Sequence, residues 1–252
     1  MTNPFLRASE DGLETAVAVY SSGKGKSILF APSIHIALSE YYAELNKRLN
    51  SQDIVIYESF LHDVDPDPSK VPDFNDISKS QMMDYINIRN YMNYSNFHAL
   101  FLARKFGLSL QIGSVFPRKE KPVWVAGDLD SSEIFLEPKL DKGDFVKHAN
   151  SVINAAFASI STFDYDSVLS DYNHFLETLN EQLGDNQMLD ALREEKIDKI
   201  IMDNIEQDVG IIYGLGHAIS IEQKIISKGY YKSSEEFLLA VPYKCPVESF
   251  LK

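Results

Sequence analysis

The sequence predicts an α/β fold: a mixed, largely parallel sheet flanked by helices, with a helical insertion capping the carboxyl ends of the strands. Three observations carry this. Two short apolar runs, SILFAP from Ser27 and DVGIIYG from Asp208, each lead to a histidine and then to a helical pattern. Between the first of these runs and Tyr57 the order strand, helix, strand is complete. From about residue 141 to 207 the pattern is helical.

Taken in order, Leu13 to Tyr20 alternates as a strand does. Ser21 to Gly25 is a turn signal, and Ser27 to Ala31 is a second strand, so the chain opens with a hairpin. The GKGKS in this turn is not a phosphate loop, because Tyr20 stands where the first glycine is needed and a strand follows where a helix belongs. Ser39 is a candidate cap for a helix over 40–49, with Tyr41 or Tyr42, Leu45 and Leu49 on one face. Asp53 to Tyr57 closes a β-α-β unit, which implies parallel pairing, and Glu58 follows it directly.

Leu61 to Asp76 is a stiff acidic loop. Its D-x-D-x-D start fails as a calcium loop, because Pro68 and Phe74 stand where glycine and glutamate are required. Ser78 to Phe106 reads as one long helix or as two broken near 93–95, ending at Gly107. Strands are expected over 108–112 and 122–126, the latter leading to Gly127-Asp128-Leu129-Asp130. Helical segments near 144–160, 165–183 and 186–206 make up the insertion, and Glu236 to Val241 is an edge strand.

At 252 residues with 44% hydrophobic side chains, the chain can bury a sizeable core as one α/β domain spanning residues 1–252. Its 37 acidic and 24 basic residues leave a net charge of −13, so nucleic acid and anionic membranes are poor partners. Cys245 is the single cysteine, which is compatible with a reducing compartment. No secretory signal and no run long enough to span a membrane is visible, so a cytoplasmic protein is expected, with a homodimer among the allowed assemblies.

The candidate constellation is His35, Glu58 and His217, each just past a buried strand. Strand carboxyl ends are where open α/β sheets bind ligands. Two imidazoles and a carboxylate suit a divalent cation with open positions, or, without metal, a base, its orienting partner and an acid. Asp128 and Asp130 are weaker ligand candidates and read more simply as turn residues. His62, His98, His148 and His174 lack partners at ligand spacing, and Ile219 stands where a dinucleotide fingerprint needs glycine.

These pieces resemble a known family. Pro32-Ser33-Ile34-His35, Val55-Ile56-Tyr57-Glu58 and Gly214-Leu215-Gly216-His217 occur in the order of the motifs of the TraB/PrgY/Tiki superfamily, whose relatives include erythromycin-esterase-like and haem-binding proteins. FLARKFGLSLQ (101–111) resembles the family's helix–strand junction, and HAISIEQKIISKGY its terminal helix. The resemblance implies a metal-dependent hydrolase of peptidase or esterase type acting on a small-molecule or peptide substrate. His35, Glu58 and His217 would be catalytic residues and ligands of manganese, cobalt or zinc, with Arg193 or Lys196 helping at developing negative charge. Its alternative is a non-catalytic protein binding haem or another small ligand on the same scaffold. The chain departs from the family pattern at Pro32, in place of a glycine of the GxxH motif, and at Leu129, in place of an arginine.

Overall fold

Alternating side chains along three neighbouring strands divide the protein into layers. The computed structural model describes residues 3–58, 78–115, 122–129, 131–138, 140, 141, 143, 147, 165–180 and 187–247. It is an α/β protein with a mixed, largely parallel central sheet flanked by helices. The opening strands are β1 (Leu6–Ala8), β2 (Gly12–Ser21) and β3 (Ser27–Ser33), followed by the short β4 (Ile36–Ala37), α1 (Ser39–Leu49) and β5 (Ile54–Tyr57). Next come α2 (Lys79–Phe106), β6 (Ser109–Leu110), α3 (Gln111–Ser114), β7 (Val123–Ala126) and α4 (Ser131–Leu136). The chain continues through α5 (Tyr165–Asn180), α6 (Gln187–Asp203), β8 (Val209–Gly214), a 3-10 turn (Leu215–His217), α7 (Ala218–Ser227) and β9 (Tyr231–Pro242).

The main sheet runs β1-β2-β3-β8-β5-β7, with β9 on the other side of β2. The expected hairpin forms: β2 and β3 are antiparallel, with Ser21 opposite Ser27. The β-α-β unit is parallel, but its strands are not neighbours, because β8 lies between β3 and β5 and pairs in parallel with both. A last parallel pair, β5 with β7, completes this half. Four strands therefore end on the same edge of the sheet.

Period-2 alternation then sorts the core. Leu29, Ala31, Val55 and Ile212 face α1, α2 and α5, packing with Leu45, Leu49, Phe106 and Tyr172. Ile28, Phe30, Ile54, Ile56, Val209 and Ile211 face the opposite layer, where Ile197 and Ile201 of α6 meet Ile221 and Ile225 of α7. A smaller cluster joins Tyr85 and Ile88 of α2 to Phe135 of α4 and Leu189 of α6. Of the helical insertion expected over 141–207, α5 and α6 are observed. The 144–160 segment and the acidic loop lie essentially outside the described residues.

Several boundaries differ from expectation for local reasons. Leu38 rather than Ser39 is the N-cap of α1, and its N–H is held by Ala240 O at 2.9 Å. Helix α2 is continuous over 28 residues, held at one end by a Ser78/Gln81 capping box and at the other by Gly107 at φ 69. The expected strand over 108–112 shrinks to Ser109–Leu110, because the Gln111 N–H donates to His35 O at 2.9 Å and α3 begins there. Strand β9 starts at Tyr231 and pairs with β2 along nearly all of that strand's length. No described helix is long and apolar enough to cross a membrane.

Because β8 is buried on both faces, a truncation there should be felt by the whole sheet. Ile212→Ala should destabilise the protein by about 2–5 kcal/mol, read as a lower urea midpoint with an unchanged slope.

Candidate functional site

The register of the parallel strands brings the candidate residues together. Ser33 lies opposite Gly214, Tyr57 opposite Ile212, and Tyr57 opposite Ala126, so β3, β8, β5 and β7 stop almost level. The residues that follow are His35, His217, Glu58 and Asp128. All five residues expected to carry chemistry, these first three with Arg193 and Lys196 of α6, lie at this edge.

Glu58 is the centre. It is only 8% exposed, and its two oxygens are held differently. The Gly214 N–H donates to Oε2 at 2.6 Å, and Arg193 Nη2 donates to Oε1. A β-carbon at position 214 would stand 2.8 Å from Oε2, so only glycine lets the backbone N–H come this close. Gly216, by contrast, faces open space. Burial pushes the Glu58 carboxyl up, but the charges of His35, Arg193 and His217 outweigh it and hold the group below the usual carboxylate range.

Arg193 is equally committed. Its Nε donates to Asp128 Oδ1 at 2.5 Å, and Nη1 lies 3.5 Å from Asp190. Asp128 is 1% exposed and also accepts from the Tyr213 hydroxyl at 2.5 Å. Burial alone would lower the guanidinium, yet Asp128, Tyr213 and Glu58 keep it well above its ordinary value. Lys196 donates to the Asp128 backbone carbonyl and pairs with Glu133 at 2.8 Å. Both cations thus hold the site's own acids in place. Of the two cations the sequence offers, Arg193 rather than Lys196 reaches Glu58.

The histidines differ from one another. His35 is 40% exposed at its side chain, with Nε2 facing Glu58 Oε2 at 3.6 Å and Nδ1 buried without a hydrogen-bond partner among the described residues. The turn that carries it is held by Ser33 Oγ on Gln111 Oε1 at 2.9 Å and by the Tyr42 hydroxyl on Ile34 O at 2.6 Å. His217 ends the 3-10 turn and is 11% exposed, its ring edge-on to Tyr213 at 5.2 Å. Its Nδ1 faces Glu194 Oε1 at 3.4 Å and its Nε2 faces Asp190 Oδ1 at 3.7 Å.

Sequence reasoning missed Asp190 and Glu194 and read Asp128 as a turn. The available signal was spacing: 190, 193 and 194 share one helix face, and that face meets the strand ends. Asp130, His62 and His148 lie outside the described residues. His98 is on α2, and the exposed His174 on α5 is paired with Glu177. Cys245 is buried, with Sγ against Phe106 O at 3.8 Å.

The donor set does not fit a resident metal. Among the described residues no three His, Cys, Asp or Glu groups are placed to hold an ion. Glu58 is saturated by Arg193 and a backbone N–H, while His217 turns its nitrogens to Asp190 and Glu194. No protein-family model, no curated protein and no solved structure matches the chain.

Two outcomes follow from this charge network. Arg193→Ala leaves Glu58 and Asp128 buried without their shared cation and should cost about 3–5 kcal/mol in urea unfolding at neutral pH. Because the folded pKa of Glu58 lies below its unfolded value, ionised Glu58 stabilises the protein above the ordinary carboxylate range, about pH 4.3. That contribution is lost as pH falls through the lower folded pKa. The stability gap between wild type and Glu58→Gln should therefore narrow on titration from neutral pH to about pH 3.

Proposed function

We propose that the strand-end site hydrolyses an ester or peptide bond in a small-molecule or peptide substrate, using its two imidazoles as an acid–base pair. The observation that carries this is the half-exposed His35 ring facing a buried, ionised Glu58 beside His217. The 3.6 Å gap between His35 Nε2 and Glu58 Oε2 is wide for a direct hydrogen bond and suits a bridging water. A buried carboxylate that stays ionised stabilises an imidazolium formed next to it, as catalytic carboxylate–histidine pairs do.

In this reading one imidazole takes a proton from the attacking water as its oxygen bonds to the acyl carbon. The other gives a proton to the departing alkoxide or amine as the acyl bond breaks, so the proton balance closes within the site. Arg193 holds Glu58 in place and does not meet the substrate. The fold supports such a role because sites at the carboxyl ends of parallel strands lie in a crevice. A cytoplasmic setting belongs to the same reading and is supported by the single, buried Cys245.

Hydrolysis of p-nitrophenyl acetate and of fluorescently labelled casein tests it. His35→Ala and His217→Ala should each lower turnover by about a hundredfold or more while moving the melting temperature by only about 5 °C. Wild-type turnover in both variants would end the proposal. Turnover that depends on an added divalent ion would favour the metal-dependent form, and a Soret shift on haem titration with no turnover the non-catalytic one.

A further inference from the structure

His217 stands between two carboxylates of α6 that are built differently. Glu194 Oε1 lies 3.4 Å from Nδ1, and the other oxygen of Glu194 accepts from the Ser220 hydroxyl on the first turn of α7. Asp190 lies farther away, 3.7 Å from Nε2, and shares its charge with Arg193 Nη1 at 3.5 Å. The other groups around the ring are Tyr213 from β8, edge-on at 5.2 Å, and Glu58 beyond β5, which senses the charge of His217. Of the two carboxylates, one is close and pinned by a hydroxyl, and the other is drawn towards a guanidinium.

A neutral imidazole carries one proton, and the better acceptor decides which nitrogen keeps it. We infer that Glu194, anchored by Ser220, is a positioning residue that holds the proton of His217 on Nδ1 and leaves Nε2 of that ring as the general base of the strand-end site. The role as base rests on the hydrolytic reading; the place of the proton does not. His35 takes the opposite arrangement. Its Nδ1 is buried with no acceptor among the described residues, while Nε2 faces the Glu58 carboxylate, so its proton belongs on Nε2. The two rings are thereby set in opposite tautomers, and only as an imidazolium, stabilised by Glu58, does His35 have a proton to give.

The helix spacing gives this assignment a second support. Asp190, Arg193 and Glu194 occupy a single turn of α6, so one rigid element orients His217 through Glu194 and Glu58 through Arg193. Ser220 sits three residues beyond His217, on the helix that starts at that histidine, and therefore ties the acceptor to the ring's own element.

The test uses the full chain labelled with ¹⁵N-histidine, read by long-range proton–nitrogen correlation at mildly alkaline pH, with His217→Asn identifying the ring. Wild type should show His217 protonated on Nδ1, Glu194→Ala should move the proton to Nε2, and Glu194→Gln, whose amide oxygen still accepts, should keep it on Nδ1. With p-nitrophenyl acetate, Glu194→Ala should lose about a hundredfold in kcat with little change in KM, and Glu194→Gln should recover part of that loss. Wild-type His217 protonated on Nε2 would overturn the inference without any variant, as would an alanine variant with the proton unmoved. Absence of wild-type hydrolysis would count against the hydrolytic reading and the base role together, while the spectra would still decide where the proton sits.

Discussion

Glu58 is a negative charge taken out of water at the point where four strands end, and much of the surrounding structure answers that fact. An isolated carboxylate in an apolar interior is too costly to keep ionised, so it must be given donors and counter-charges. They come from three different parts of the chain: the Gly214 N–H of β8, the guanidinium of α6 and the imidazole beyond β3. Arg193, buried in turn, needs Asp128 beyond β7, and Asp128 takes the Tyr213 hydroxyl from the neighbouring β8. Each partner is satisfied only if the next strand or helix is in place. The polar edge therefore specifies the arrangement of elements that the hydrophobic core, being tolerant of shape, would leave loose.

Much of the fold is legible in the sequence because it follows from local periodicity. Strands β2, β3, β5, β7 and β8 and helices α1, α2, α6 and α7 lie where alternation or helical spacing puts them. The order of the strands is not legible. Nothing local to SILFAP or DIVIY says that DVGIIYG will separate them; in the sheet Gly210 is closely packed, and a β-carbon there would lie 2.9 Å from Leu49 and 3.2 Å from Val55. Asn93 to Ser95 look like a break, yet α2 runs through them, since its caps and its packing on both neighbours outweigh weak local propensity. Leu108 to Ile112 look like a strand, yet the ladder stops where Gln111 gives its N–H to His35. In the second case a tertiary contact overrides a correct reading of the local pattern.

The site divides in the same way. His35, Glu58 and His217 stand out because a polar residue directly after a buried strand is conspicuous against its apolar neighbours. Asp128 carries the same signal, but aspartate after a glycine is so common in turns that the signal has little discriminating power. Asp190 and Glu194 carry none. They lie inside a helix, where a charged residue reads as part of a solvated face, and only the arrival of that face at the strand ends gives them a role. Around the three donors that suggest a metal, Glu58 gives its oxygens to Arg193 and the Gly214 N–H, and His217 turns Nδ1 towards Glu194.

Helix α6 ties the hydrophobic core to the polar edge of the sheet. Ile197 and Ile201 on its inner face are fully buried against the sheet, and Asp190, Arg193 and Glu194 lie on the turns just before them. In a helix a slip of one residue turns every side chain by about 100°, so the isoleucines cannot be seated correctly while the charged residues miss their targets. The apolar contacts thus fix the rotation of the helix, and the rotation aims Arg193 at Glu58 and Glu194 at His217. The entropy of ordering these polar side chains is given up when the core forms. The burial that holds the sheet together and the placing of Arg193 on Glu58 and Glu194 on His217 are consequences of the same packing.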